Sequence, residues 1–293
     1  MEEPLVLLVN PSSGGGRSLK VLARVEALLD ARRAPFRVVR TRSLEHGIAK
    51  ALQAVEAGEV PVVISGDGMI GAIGGALAGS EAPLGIVPGG RGNDLARVLG
   101  IPVDPEEAIE IVLAGHSRAI DVGEANGKRF LSIASVGFDS EANRRANDSR
   151  LRGNLVYLWA ALRTMATWKS ARFTIAIGDQ RTRMEGYDVV VANTKAYGGG
   201  MFIAPDAEPD DGEFDVVTIA DMGKLRALYN LTKVFKGTHV RIPEVEVVRA
   251  SHVTLTASRP FAVYADGDHL TDLPADLRVI PRALRVLVPP AAA

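Results

Sequence analysis

The sequence predicts two domains: an α/β domain built on a parallel sheet with helices on both faces, then a β-rich domain of sandwich type. Three observations predict it. Over the first ~120 residues short apolar runs alternate with segments of helical period, the mark of strands joined by crossover helices. After Ala119 short strand-like runs dominate. Glycine-rich loops follow three of the early strands, at the sheet end where ligands of such folds bind. A length of 293 residues fits two domains at roughly 150 residues each.

The elements follow in order. Leu5–Val9 reads as a buried strand ended by Asn10-Pro11. Between Arg17 and Arg33 the apolar residues Leu19, Leu22, Val25, Leu28 and Leu29 recur at helical spacing. Phe36–Arg40 is a strand, and Ser43 caps a helix that ends near Gly58. Val60–Ser65 is a buried strand, followed by Gly66-Asp67-Gly68 and a small-residue helix, Met69–Ala78. Leu84–Pro88 is another strand, with a glycine loop and a helix through Leu99 behind it; Pro105–Ala114 is a further helix. Residues 1–121 are therefore assigned to the first domain and 122–279 to the second.

In the second domain strands are expected at Ala119–Ala125, Arg129–Ser135, Arg172–Ile177, Tyr187–Ala192, Glu213–Ile219, Glu244–Val248, His252–Ala257 and Phe261–Ala265. Helices are expected at Asn154–Thr167 and Lys224–Lys236. Ala283–Val288 is a last strand that pattern alone does not place; segment 280–293 is a candidate to return to the first domain.

Composition narrows the function classes. With 47% hydrophobic and 24% charged residues the chain is globular, not disordered, collagenous or coiled-coil. The longest aliphatic run, Leu5–Val9, is far below the ~18 residues of a membrane span. No basic stretch precedes an apolar one at the N-terminus, so no leader peptide is expected. The absence of cysteine excludes disulfides, thiolate metal sites and cysteine nucleophiles, and agrees with a cytoplasmic protein. A net charge of −1 gives no global attraction for nucleic acid or membrane. Charge is nevertheless uneven: Glu141–Arg183 carries net +6, and Ala204–Met222 carries seven acids and no base. The first stretch suits anions and the second a cation.

Three loops carry the chemistry. In Ser65-Gly66-Asp67-Gly68-Met69-Ile70-Gly71 a buried strand delivers glycines that let backbone N–H groups approach a phosphate. Asp67 either caps the following helix or ligates Mg²⁺ beside that phosphate. Pro88-Gly89-Gly90-Arg91-Gly92-Asn93-Asp94 repeats the arrangement one strand on; Arg91 can fork onto phosphate oxygens, and Asn93 and Asp94 either cap a helix or take part in the site. Asn10-Pro11-Ser12-Ser13-Gly14-Gly15-Gly16 is neither a Walker loop nor a dinucleotide fingerprint. Among the five histidines no pair has metal-ligand spacing on one helix face, and His269 either orients a substrate or is simply exposed. Trp159 and Trp168 lie on or near an Arg-bearing stretch; they are either core aromatics or contacts to an anionic lipid surface.

Taken in order, these loops together with Ser135-Val136-Gly137-Phe138-Asp139, Gly198-Gly199-Gly200-Met201-Phe202, Asp211-Gly212 and Asp266-Gly267-Asp268 resemble the diacylglycerol kinase catalytic-domain family of soluble bacterial lipid kinases. The resemblance spans nearly the whole chain. It implies a first domain of the phosphofructokinase and NAD-kinase type, a β-sandwich second domain, and ATP and a lipid meeting in the cleft between them. It implies that Asn10, Thr41, Ser65 to Gly71, and Gly90, Arg91, Gly92 and Asn93 contact the nucleotide. It implies that Asp67 and Asp94 organise Mg²⁺–ATP, that Asp268 takes the proton of the lipid hydroxyl, and that Glu208, Asp211 and Glu213 surround a second, structural Mg²⁺. A transient membrane contact follows from a lipid substrate, and a homodimer is left open.

The chain departs from the family pattern. Met69 stands where the first loop usually has Thr, Arg91 replaces the Thr of the second, and Asp268 is one methylene shorter than the usual Glu. Ser65 and Gly71 also differ. Arg91 offers donors that replace lost hydroxyls. Beside the lipid kinase stand two alternatives, a weak or inactive kinase that binds lipid or nucleotide and an NAD-kinase-like enzyme.

Overall fold

The computed structural model describes residues 3–147, 149 and 155–290. Asp148, Arg150, Arg152 and Asn154, invoked above for the basic stretch and the helix after it, lie outside the described residues, as do Ala291 to Ala293. The chain divides into two compact units, Met1–Val122 with Pro281–Ala293, and Gly123–Ile280.

In the first unit β1 (Leu5–Val9), β2 (Phe36–Arg40), β3 (Val60–Ser65) and β4 (Gly85–Pro88) form a parallel sheet in the order β2-β1-β3-β4. Every residue of β1 and β3 is buried, which explains their unbroken apolar character. Helices α1 (Arg17–Arg32), α2 (Leu44–Glu56), α3 (Asp67–Leu77), α4 (Asp94–Val98) and α5 (Pro105–Ala114) connect and cover the strands. α1 packs with α5 and α2 with α3. α1 buries Val21, Leu22, Val25 and Leu29 at the spacing of one helix face. The Ser43 hydroxyl caps α2 by accepting from the His46 N–H at 3.2 Å. α3 begins two residues earlier than the sequence pattern suggests. Gly66 remains extended at its N-cap (φ −95°, ψ 179°), so Asp67 sits in the first turn of the helix.

The second unit begins within β5 (Ser117–Ala125) and ends within β15 (Ala275–Leu287). Its further strands are β6 (Lys128–Phe130), β7 (Ile133–Gly137), β8 (Ala171–Ile177), β9 (Gln180–Ala192), β10 (Phe214–Ala220), β11 (Val245–Ala250), β12 (His252–Ala257), β13 (Ala262–Ala265) and β14 (Asp268–Asp272). They pair in the order β14-β13-β7-β9-β8-β12-β15-β5-β6, with β10 between β9 and β11. The pairings resolved around β7 to β14 are antiparallel. Helices α6 (Phe138–Asn147), α7 (Leu155–Thr167) and α8 (Lys224–Val234) interrupt them. The fold class is thus the one expected, a parallel α/β unit followed by an antiparallel β-rich unit.

Four details differ from the sequence reading. The run Arg129–Ser135 is two strands, because the N–H groups of Leu131 and Ser132 turn to the Asp266 carboxylate (2.8 and 2.9 Å) instead of a ladder. α6 and β14 are additional elements. β9 starts seven residues earlier, as the second arm of a hairpin with β8. The last strand belongs to the long β15, whose Val286 bridges Leu84 in parallel beside β4; there the Leu84 N–H donates to the Arg285 oxygen and the Leu287 N–H to the Leu84 oxygen. Among the described residues no helix is long and apolar enough to cross a membrane.

Candidate active site

Three glycine loops converge at the carboxyl end of the parallel sheet. The Ser13 hydroxyl accepts from the Gly66 N–H at 3.1 Å, tying the loop after β1 to the loop after β3. A side chain on Gly90 would stand 2.4 Å from the Gly66 Cα, so the loops after β3 and β4 touch backbone to backbone only because both residues are glycine. Gly14, at φ +60°, closes the third contact: its missing Cβ would lie 2.7 Å from the Gly89 carbonyl oxygen.

Two carboxylates stand at this junction. Asp67, in the first turn of α3, accepts from the Leu95 N–H at 3.2 Å. Asp94 opens α4 and is buried. A Cβ on Gly92 would lie 3.1 Å from the Oδ2 of Asp67 and 3.1 Å from the Oδ2 of Asp94. Both carboxylates therefore point at one spot that glycine leaves open. Burial lifts the Asp67 carboxyl above its usual range, the Asp94 charge lifts it further, and backbone donors at Leu95 and Asn93 offset part of this. Such a pair calls for a cation. Two hard oxygen donors with room between them fit Mg²⁺, which uses one or two carboxylates and fills its other positions with water or phosphate.

The remaining candidates divide by what their side chains do. Asn93, at φ +53°, folds its own loop: its Oδ1 accepts from the Gly90 N–H at 2.9 Å and its Nδ2 donates to the Gly90 oxygen at 3.3 Å. Asn10 likewise accepts from Ser12 N–H at 3.0 Å. The Thr41 hydroxyl donates to the Val9 oxygen at 3.1 Å. Met69 points away from the junction, with its methyl 3.2 Å from the Cβ position of Gly47 on α2. Ile70 is fully buried, and Gly71 is buried beside it in α3. Ser65 is buried at the end of β3. Gly68 lies in the first turn of α3, where N–H groups lack partners within the helix. Arg91 is exposed, and its guanidinium lies 3.9 Å from the Cβ position of Gly15. A cation thus overhangs the first glycine loop.

The second unit holds the other candidates. Asp266 and Asp268 differ sharply. Asp266 (φ +52°) clamps the Leu131 and Ser132 N–H groups, while Asn193 holds the carbonyls of the same two residues: its Nδ2 donates to the Leu131 oxygen and its N–H to the Ser132 oxygen, each at 2.8 Å. Asp268 starts β14 beyond that turn with its side chain exposed. Neighbouring groups remove enough of its hydration to raise its carboxyl above the usual range. His269 is set between Asp272 (3.2 Å) and the edge of the Tyr264 ring.

In the acidic loop Asp211 and Glu213 converge on Arg249, Glu213 at 3.2 Å, while Glu208 is drawn to Lys195 at 2.7 Å. Glu208 therefore does not join the other two, and among the described residues no three acids or histidines are grouped to hold a metal. The three side chains are therefore held by their cationic partners in the arrangement present. Trp168 is a core residue, stacked on Tyr187 and edge-on to Phe138; Trp159 is exposed under Arg163.

The sequence reading missed a buried acidic cluster. Asp139 accepts from the Ser135 hydroxyl at 2.7 Å, and its own N–H donates to Asp188 at 3.1 Å. Burial raises the Asp139, Asp188 and Tyr197 groups, and the proximity of the two acids adds to the rise at Asp188 and Tyr197. A single acid within the apolar run Tyr187–Ala192 was the available signal.

Comparison with known proteins agrees with this architecture. The diacylglycerol kinase catalytic domain matches residues 4–125, and the YegS C-terminal NAD kinase beta sandwich-like domain matches residues 132–288. A diacylglycerol kinase of Mycobacterium tuberculosis (strain CDC 1551 / Oshkosh) is 34% identical over 304 residues, covering 96% of this chain and 94% of that protein. One from Staphylococcus carnosus (strain TM300) is 25% identical, covering 97% and 94%. The crystal structure of a diacylglycerol kinase from Bacillus anthracis str. Sterne superposes with a TM-score of 0.77 at 20% identity, over 100% of this chain and 98% of that one, a likeness of fold. With both halves of the chain matched in order and a curated relative aligned almost end to end, the chain belongs to the diacylglycerol kinase catalytic-domain family.

Proposed function

We propose that the protein is a lipid kinase that transfers the γ-phosphoryl group of ATP, with Mg²⁺, to the hydroxyl of a diacylglycerol-like lipid. The observation that carries this reading is the pair Asp67 and Asp94, aimed at one open spot where three glycine loops meet. Family membership supports the phosphoryl donor and the lipid class.

On this reading the chain mainly positions and neutralises charge, which is most of what phosphoryl transfer needs from a protein. The loops Asn10 to Gly16, Ser65 to Gly71 and Gly90 to Asn93 border the phosphates, the first turn of α3 around Gly68 offers N–H groups that the helix leaves without partners, and Arg91 supplies the charged donor that the missing threonines do not. Thr41 lies at the end of β2 beside Val9 and borders the nucleotide. Asp67 and Asp94 hold Mg²⁺. When bound, that ion offsets negative charge building on the transferring group.

Asp268 accepts the proton of the lipid hydroxyl as its oxygen bonds to the γ-phosphorus and ADP leaves. A raised carboxyl suits this role, since a general base works best with a pKa closer to the operating pH. Asp266, with both oxygens on backbone N–H groups, is occupied with the turn and does not compete for it.

The test is a labelled-ATP assay against a panel of lipid hydroxyls with NAD as control, run beside thermal unfolding with ATP. Transfer to a lipid supports the proposal. Stabilisation by ATP without transfer to any acceptor would favour a binding module, and transfer to NAD an NAD-kinase-like enzyme.

A further inference from the structure

Helix α8 is apolar on two opposite faces. Ala227, Leu231 and Val234 face inward against the core of the second unit, and Asn230 is buried among them with its amide toward the Met222 sulfur at 3.5 Å. The opposite face carries Leu225, Leu228 and Tyr229, and Phe235 continues it just past the helix end. Those four are 87%, 42%, 70% and 54% exposed. Phe202 lies near the end of the helix: its N–H donates to the Val234 oxygen at 3.0 Å and its side chain is exposed. A surface helix normally turns polar residues outward, and single exposed leucines need no explanation, but four large apolar groups along one helix face and its end do.

The charge around the patch names the partner. From Gly223 to Pro243 there are five bases (Lys224, Arg226, Lys233, Lys236 and Arg241) and no acid. At helical spacing Lys224 lies on one flank of the stripe, Arg226 and Lys233 on the other, and Lys236 in line with it. Glu244 balances Arg226 at 2.6 Å, and the Lys224 ammonium donates to the Ala166 oxygen at 2.7 Å. Lys233 lies over the Tyr229 ring, 5.4 Å from its centroid. An apolar stripe with an aromatic edge and lysines that can lift their ammonium groups toward headgroups is the form of a helix lying in a membrane interface. A second copy of the chain is a poor occupant. A two-fold contact puts the same patch on both sides and sets Lys233 and Lys236 against their own copies.

We infer that the outer face of α8, with Phe202, is the surface by which the protein docks on an anionic bilayer. Leu225, Leu228, Tyr229 and Phe235 enter the interface, and Lys233 and Lys236 meet acidic headgroups. The inference does not use the residues assigned to phosphoryl transfer, and its test is separable from theirs.

The experiment is vesicle flotation of the full chain with phosphatidylcholine alone and with a phosphatidylcholine–phosphatidylglycerol mixture, at low and high salt. The wild type is expected to float with the mixed vesicles only. The double variant Leu225→Glu with Tyr229→Glu is expected to lose binding by ~10-fold or more, since each change removes a buried apolar group and adds a repelled charge. Lys233→Ala with Lys236→Ala is expected to lose roughly fivefold per charge at low salt, and much less at high salt. Both variants should melt as the wild type does and turn over a water-soluble short-chain diacylglycerol at its rate. Failure of the wild type to float, equal flotation with both vesicle types, or wild-type flotation of both variants would overturn the inference. So would a wild-type dimer that the glutamate variant makes monomeric without loss of vesicle binding. If no lipid is phosphorylated while flotation follows the expected pattern, the catalytic reading fails and the docking surface stands.

Discussion

At the residue scale the account rests on a few carboxylates whose surroundings give them different work. Asp67 shares its open spot with Asp94, and its carboxyl is raised by burial first and by the neighbouring Asp94 charge second. The Asp67→Asn variant is expected to lose Mg²⁺-dependent turnover by at least ~10²-fold while its melting temperature holds or rises, because a like-charge repulsion is removed; a variant with full turnover would take Asp67 out of the site. Asp268 differs in being exposed and unclamped. Its carboxyl lies above the usual range, so the acid limb of kcat/KM should fall above pH ~4, and Asp268→Ala should cost ~10²–10⁴-fold with ATP binding kept. Asp268→Glu tests reach: lower turnover means a pocket shaped for the shorter acid, higher turnover a weakened native base. Asp188 has no catalytic assignment but has a stability consequence. Its folded-state pKa is raised, so its favourable contribution is complete below about pH 4, where it is protonated even unfolded, and is lost as pH rises through the folded value. Asp188→Asn, which removes the buried charge, should therefore stabilise the protein by about 1–3 kcal/mol near neutrality. The gain should shrink toward pH 4 in a series of thermal melts, and a variant less stable at neutral pH would contradict the sign.

At the scale of elements, function depends on loops that glycine allows to touch. Gly92 does not use a left-handed backbone, so alanine there costs little as conformation. Its Cβ would nevertheless press on both carboxylates at 3.1 Å. Gly92→Ala should lower turnover by ~10–10²-fold with less than about 1 kcal/mol change in stability, read by kinetics beside denaturant unfolding. The elements that position this site were legible in the sequence, because β1 and β3 are buried on both sides and so read as unbroken apolar runs ending in glycine. Others were silent for physical reasons. β14 is an edge strand, Asp-His-Leu-Thr-Asp, with no buried face to impose alternation. The first half of β9 is exposed and polar. α6 has a polar surface held by Glu141 pairing with Arg144 and Arg145, and its apolar stripe is only Phe138, Ala142 and Ala146, two of them alanines too small to stand out. The break between β6 and β7 is set by Asp266, and the fate of Asp211 and Glu213 by Arg249; both partners are distant in sequence, so no local pattern announces them.

At the scale of the molecule the proposal gives each unit a different part of the chemistry, the proposed cation and phosphate site to the first and the proposed base, with the proposed docking helix, to the second. Both parts were visible as motifs only because their order along the chain matches one family; singly, Gly-Asp-Gly or Asp-Gly-Asp would serve any tight turn. Family membership leaves one question that geometry sharpens: whether a chain with Met69, Arg91 and Asp268 at these positions still transfers phosphate. Met69 is turned into the α2–α3 packing and offers no hydroxyl, and on the proposed reading Arg91 over the first glycine loop supplies the compensating charge. The most direct measurement is transfer of ³²P from γ-labelled ATP to diacylglycerol in mixed micelles, with and without Mg²⁺, for the wild type and Asp67→Asn. The account predicts labelled phosphatidic acid from the wild type with Mg²⁺, and none after chelation or from the variant. Absence of label in this or any other lipid, with ATP bound, would contradict it.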